Sequence, residues 1–526
     1  MDAISQDGKK KKYTTPRWVQ VWFLQRSRDN WKEKYKQLRR DAKRMRNRVH
    51  DVTRSREQWR EQTEQQEQRI KELEAENAVL REQAAKKNSG CVMGSREADP
   101  PPASHGYGAE VIGVSLRLIQ AGVSLRCVPR VLETVCDALG WALPIPHWTT
   151  GRLWLLRLGH AVLNAEKKPA DDWAWLIDHS VQIGQEKCLV IVGIRLADLP
   201  PRGQSLRHED LKLIALLPAK SWTGFQVDQA LEQAAVDTGH TPRVIVDDHG
   251  ADINGGVVLF QQRHSQTVEI YDTKHKAACL LKRRLENDQR WREFQTAVGQ
   301  TRCAVQQTEL AFLVPPGPKP KARFMNLGMQ LKWARRMLAI LREPPSSMMP
   351  SVSTARLNEK LGWIEAFAAE VSAWSQWQQV IDITVTLVSE QGLHQGLSRL
   401  LAQRLSEGGA LCHSARVLAA ELIRFVRWQE GRTRPDERFP GSTEILESCF
   451  GKFKQLEKQQ SRGGFTQLLL GFGALLTRAT TDTVREAMQT SRTADIRTWA
   501  KQTLGVTLFA QRQRAFACAT NMGRIL

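Results

Sequence analysis

Three apolar runs open the central part of the chain: Trp173 to Ile177, Cys188 to Ile194 and Leu211 to Leu217. Each is short and bounded by turn or polar residues, which predicts three buried strands, the first two forming a hairpin. A helical pattern from about Thr223 to Thr238 follows. Then comes the β-branched run Val244 to Val246, behind the turn residues Gly239 and Pro242. A fifth short strand, Thr267 to Tyr271, leads into a helix that begins in YDTKHKAACLLKRRL. Strand, helix, strand at this spacing predicts parallel pairing through a right-handed crossover. After the break at Pro315 to Pro320 the pattern becomes helical and Trp-rich as far as Arg438, with Trp333, Trp363, Trp374, Trp377 and Trp428 reading as core residues.

The amino-terminal pattern is different. From Trp31 to Leu80 a seven-residue repeat places Trp31, Leu38, Met45, Val52, Trp59, Leu73 and Leu80 on one register and Tyr35, Ala42, Val49, Ile70 and Asn77 on the other. This predicts a coiled coil, with Asn77 at a position that favours a parallel dimer. Its first half is rich in Lys and Arg, as in a basic zipper, but the heptads run through that half, so self-association is the plainer reading. Lys9 to Lys12 make a basic tail able to touch phosphates without reading sequence. Beyond a Gly-, Ser- and Pro-rich linker, residues 107–165 read as three helices. The first is Ala109 to Gln120, the second ends near Leu139 with Pro129 inside it, and the third is capped by Thr149 or Thr150. Such a segment is similar to a helix-turn-helix. Arg117, Arg126, Arg130, Arg152 and Arg157 are its candidate DNA contacts, a solvated face being the alternative.

Composition narrows the partners. A chain of 526 residues exceeds what one core supports, so several domains are expected. A net charge of +21 and an isoelectric point near 9.8 call for a polyanion, nucleic acid by default. No run of 18 apolar residues is present and the start lacks a signal-peptide core, which argues against a membrane. Nine scattered cysteines without a Cys-x-x-Cys pair read as reduced cytoplasmic thiols, not as disulfides or a zinc cage.

Three acids then stand out: Asp178 in WLIDHSVQIG, Asp248 in RVIVDDHGADINGG and Glu447 in STEILESCFGKFK. An Asp at a strand end is by default a turn or cap residue, and a Glu on an amphipathic helix is by default solvated. Asp247 is the main competitor of Asp248, and Glu444 that of Glu447. Asp272 reads as the cap of the helix that carries His275, and is the first substitute should one of the three acids prove wrong. Together the acids resemble the metal-holding triad of DDE transposases of the bacterial insertion-sequence type. The turn Asp248-His-Gly-Ala-Asp252 is similar to the one after that family's second acid. Lys454, seven residues after Glu447, matches a basic residue that many members carry, two helical turns away and on the same face.

The resemblance implies a multidomain α+β protein. Its parts are a basic tail (1–30), a coiled coil (31–84), a linker (85–106), a helix-turn-helix-like domain (107–165), an RNase H-like core in two parts (166–307 and 441–526) and a helical insertion (308–440). It further implies Asp178, Asp248 and Glu447 as catalytic metal ligands and Lys454 on DNA. The implied cofactor is Mg²⁺, with Mn²⁺ as substitute, as two ions roughly 4 Å apart that clamp the reacting phosphate. Hard Mg²⁺ suits carboxylates from distant segments. The reaction implied is cleavage at transposon ends and joining of the 3′-OH to target DNA, by a homodimer or higher oligomer at the nucleoid of a bacterial cytoplasm. Two rival expectations are a DNA-binding protein or transposase relic without catalysis, and a nuclease of the same fold that cuts without joining.

Overall fold

The structure, a computed structural model, describes residues 106–183, 186–317, 324, 327–345, 352–460, 465–506 and 508–522, most of 16–39, and positions 53, 57 and 68. The chain divides into two compact units, Met1–Glu97 and Ala98–Leu526. In the first, the described residues between 17 and 39 are helical, and Trp18, Trp22, Leu24, Trp31, Tyr35 and Leu38 on them are exposed. Most of the predicted coiled coil, the Lys9 to Lys12 tail and the linker up to residue 105 lie outside the described residues.

The second unit is mixed α and β. It begins with helices α1 (Ala109–Gln120), α2 (Val128–Leu139) and α3 (Trp148–Asn164). Pro129 falls in the first turn of α2, where its missing N–H costs nothing, and Gly140 closes that helix in the left-handed conformation. His147, not Thr149 or Thr150, caps α3, its side chain accepting from the Thr149 amide. Ile112, Leu116, Leu155 and Leu158 of this segment join the same hydrophobic cluster as Leu176, Val190 and Val246 of the sheet.

The five-stranded sheet comprises β1 (Trp173–Ile183), β2 (Glu186–Arg195), β3 (Lys212–Ala219), β4 (Val244–Asp247) and β5 (Val268–Tyr271), in the order β3-β2-β1-β4-β5. The first three strands are an antiparallel meander, while β4 pairs parallel to β1 and β5 parallel to β4. Helix α4 (Gly224–Thr238) crosses from β3 to β4, with Thr223 and Gln226 forming a capping box, and α5 (Ala251–Arg263) crosses from β4 to β5. Gly256 lets these two helices close on each other: a Cβ there would lie 2.5 Å from Val227 Cβ.

Both faces of the sheet are covered. Trp173, Trp175, Ile177 and Ile245 pack with Val227, Leu231, Ile253 and Phe260 of α4 and α5. Ala174, Leu176, Val244, Val246 and Ile270 turn the other way, into the cluster that includes α3 and the helix carrying Glu447. A fully buried aromatic or branched side chain contributes roughly 1.5–3 kcal/mol, so strict alternation along β1 fixes which face each residue takes.

After β5 come α6 (Thr273–Leu285), α7 (Gln289–Val305), α8 (Leu327–Arg342), α9 (Thr354–Leu361), α10 (Ala368–Gln391), α11 (Leu397–Glu407) and α12 (His413–Glu430). Trp291, Phe294 and Trp374 meet at ring distances of 4.9–5.6 Å inside this excursion, and Trp333 and Trp377 are buried, as expected. Trp363 is half-buried. Trp428 departs from expectation: it is 50 % exposed. The excursion returns to the sheet edge through the Arg243–Glu437 pair at 2.7 Å, and α13 (Glu444–Glu457) follows. Short α14 (Gly471–Leu475), then α15 (Thr481–Thr490) and α16 (Thr493–Trp499), pack on α3, and α17 (Leu508–Met522) ends the described chain. No described helix is long and apolar enough to cross a membrane, and the described cysteines are free thiols.

Candidate active site

On β1 the residues Ala174 and Leu176 face α13, and Asp178 continues that series. On β4 the parity of Val244 and Val246 sends Asp247 toward α5 and returns Asp248, the first residue past the strand, to the α13 side. β1 and β4 are parallel neighbours, so Asp248, just past the end of β4, comes beside Asp178, which lies not at a strand end as expected but in the middle of β1, opposite Val190, because the hairpin with β2 continues to Ile183. Asp178 is half-buried, and burial, the charge of Asp248 and that of Glu447 push its carboxyl up to about 7, with Asp272 adding to the effect and the His179 amide opposing it. Asp248 and Glu447, from distant segments, are thus both within electrostatic reach of Asp178.

Glu447 stands in the first turn of α13, near the positive end of the helix dipole, and is exposed. The start of that helix is fastened by Asp272. Its Oδ2 accepts the Thr443 amide at 2.5 Å, the Thr443 hydroxyl at 2.8 Å and the Ser442 hydroxyl at 3.0 Å, while Oδ1 accepts the His275 amide at 2.7 Å. One buried carboxylate therefore caps α6 and ties it to the residues that launch α13. With its oxygens so engaged, Asp272 serves as a positioning residue, in keeping with the capping role expected for it.

Sequence reasoning missed Lys274. Its ammonium reaches Glu447 at 2.9 Å and Glu444 at 3.0 Å, from the first turn of α6. The spacing Asp272-x-Lys274 was visible, but only the fold shows that the two helix starts adjoin. Around the Asp248 turn, the Asp248 carboxylate accepts the Gly250 amide at 2.8 Å. Asp252 approaches His179 of β1 at 3.0 Å, bracing the turn against the next strand.

Asp247 belongs to another group. It is fully buried, its Oδ1 accepts the His249 amide at 2.6 Å, and burial together with nearby Glu269 holds its carboxyl well above the usual range. Glu269 pairs in register with Ile245, on the α5 side of the sheet. His249 takes φ +57°, an uncommon conformation for a residue with a Cβ, and its ring stacks on Tyr271 at 4.1 Å.

Of the candidate DNA contacts, Arg117, Arg126, Arg130 and Lys454 are exposed and Arg152 is half-buried. Arg126 lies over the Trp148 ring at 5.2 Å. Arg157 must be withdrawn: it is buried, donating to Ser491 O at 2.6 Å and Met488 O at 2.5 Å, and so fastens α3 to the end of α15. Lys454 makes no ion pair with Glu447, whose partner is Lys274. A cleft of about 630 Å³ beside the Asp248 turn is lined by Tyr271, Phe425 and Trp428, by the cations Lys276, Arg283 and Arg424, and by one acid, Glu421, which pairs with Arg283, with His249 at its edge. No protein-family model matches the chain, and no curated protein compared with it matches either.

Proposed function

We propose that the chain is a DNA transposase of the DDE class, with an RNase H-like core, that cuts and joins DNA strands at transposon ends. The observation that carries this reading is the electrostatic grouping of Asp248 and Glu447 around Asp178, beside the middle of β1 and just past the end of β4, on a sheet of order β3-β2-β1-β4-β5 in which β2 alone runs opposite to the other strands. The donor set fits Mg²⁺: three carboxylates offer hard oxygens, and the Asp178 carboxyl is raised by burial first and then by the negative charge of Asp248 and Glu447. Bound there, two divalent ions supply charge stabilisation to the attacking and leaving oxygens of an in-line displacement.

The chain's own residues do the rest. Asp272 and Thr443 hold the start of α13, which carries Glu447 within electrostatic reach of Asp178, and the Gly250 amide orients Asp248. Lys274 offsets the charge of Glu447 and Glu444. The net charge of +21, the exposed Arg117, Arg126, Arg130 and Lys454, and the cationic, aromatic cleft support a DNA partner. The apolar residues exposed along the described part of 17–39 support self-association through the heptad segment.

The test is cleavage and joining of a plasmid carrying the DNA that flanks the gene, with Mg²⁺ or Mn²⁺, by the wild-type chain and by Glu447→Gln. Cut and joined products from the wild type alone support the transposase. Cutting without joining moves the assignment to a nuclease, and binding without cutting to a DNA-binding protein.

A further inference from the structure

We propose that Asp247, His249 and Glu269 form a metal site of their own, for a divalent transition ion of the zinc class, on the side of the sheet facing away from Asp178 and Glu447. One donor atom from each residue lies within 4.8 Å of the other two. His249 Nε2 and Glu269 Oε1 are 3.1 Å apart, close to the ~3.3 Å edge between two ligands that each stand ~2.0–2.1 Å from a tetrahedral ion. At that separation Nε2 still makes no aligned hydrogen bond. Asp247 is 0 % exposed and its Oδ2 has no hydrogen-bond donor at all, a costly condition for a buried carboxylate. Asp247, with its undonated Oδ2, and His249, whose Nε2 has only Glu269 beside it, belong to the same cluster, and a cation held among the three residues neutralises it.

The donor chemistry selects the ion. One imidazole nitrogen with two carboxylate oxygens is a mixed set that zinc accepts readily, whereas Mg²⁺ prefers oxygen ligands and retained water. Supporting contacts of the kind that orient metal ligands are present. Asn254 donates to Glu269 at 3.0 Å, the His249 amide donates to Asp247, and Tyr271 stacks on the imidazole. Asp247 and His249 flank Asp248, so an ion held by them fixes the left-handed backbone between the two faces. The competing way to neutralise the cluster is a proton on Asp247, or on His249, with no metal bound. The site stands on these three residues alone and does not depend on the activity proposed above.

The experiment uses the full chain carrying Asp178→Asn and Glu447→Gln, which disables the other acidic cluster. It is stripped with a chelator, titrated calorimetrically with ZnCl₂ and assayed for metal by mass spectrometry after desalting. The expected result is one retained equivalent of Zn²⁺, a higher melting temperature with Zn²⁺ present, and a loss of affinity on the order of 100-fold when either His249→Asn or Glu269→Gln is added. Asn is chosen at position 249 because it tolerates the left-handed conformation. Absence of retained Zn²⁺, or equal retention by both added variants, overturns the proposal in favour of the protonated cluster. A wild-type chain that fails to cut DNA leaves this outcome unaffected, so the two readings fail separately.

Discussion

Asp247 and Asp248 are adjacent in the chain and serve regions that differ in almost every respect. Asp248 is half-buried and faces two other acids from β1 and α13, with exposed Glu447 and cationic side chains nearby. Asp247, one peptide back, is buried with Glu269 on the α5 side of the sheet, and half-buried His249 joins them from the cleft beside the Asp248 turn. The strand's two-residue period makes this division, and it shows that a pair of acids is a weak unit of functional inference until each is assigned a face. One face carries an exposed acid, Glu447; the other keeps its acid, Asp247, out of solvent altogether.

The sharpest way to break this comparison is to neutralise each neighbour in turn. Asp248→Asn, like Asp178→Asn and Glu447→Gln, is expected to lower cleavage on the order of 10³-fold or more, since several kcal/mol of charge stabilisation disappear at about 1.4 kcal/mol per tenfold. Asp247→Asn is expected to retain measurable cleavage in the same gel assay. A dead Asp247 variant beside an active Asp248 variant reverses the assignment.

Next in size is a pH effect on the open face. The Asp178 carboxyl is pushed up to about 7 in the folded chain against an ordinary aspartate value of 3.8, so between those limits the folded state binds more protons than the unfolded one. Its contribution to stability is therefore present at low pH and lost as pH rises toward 7 and beyond. A shift of about three units corresponds to at most about 4 kcal/mol. Asp178→Asn should accordingly raise the melting temperature at pH 8 and leave it nearly unchanged at pH 4. A variant less stable than wild type at pH 8 contradicts the geometry described for this carboxyl.

A smaller effect, near 3 kcal/mol, is expected from Asp272→Ala, which strips acceptors from four donors at the joint between α6 and α13. Cleavage should fall with stability in that variant, whereas DNA affinity measured by filter binding should hold. Smallest is the contrast between two arginines. Arg157→Met should cost about 2 kcal/mol in denaturant unfolding, because two buried carbonyls lose their donor. Arg130→Ala should leave stability within about 0.5 kcal/mol and lower the salt dependence of DNA binding by a slope of about one.

These residues also show how far the sequence could be read. The strands were legible because each is a compact apolar run, and Asp178 and Asp248 drew notice because a charge ends each run. Asp272 was legible as a cap for the same local reason. Lys274 was not, since its partners lie far along the chain at the start of α13. The Asp247–His249–Glu269 group was hidden too: it depends on the register that sets Glu269 beside Ile245, which no single segment encodes. Arg157 and Trp428 were misjudged for a complementary reason. Amphipathic spacing tells which side of a helix is apolar, but not whether a neighbouring helix will cover an arginine at the margin or leave a tryptophan open.

The fastening by Asp272 has a bearing on chain architecture. The Thr273 amide donates to Gly441 O at 3.1 Å, so the long helical excursion leaves and re-enters the sheet at one spot. A detour whose two mouths are buttoned together exerts no leverage on what lies beyond it. Elaborations made within this stretch, short of the contacts that Gln429, Arg432 and Glu437 make back to the sheet, leave the arrival point of Glu447 in place, which makes it the natural place for lineages, or engineers, to graft new recognition surfaces onto an unchanged sheet.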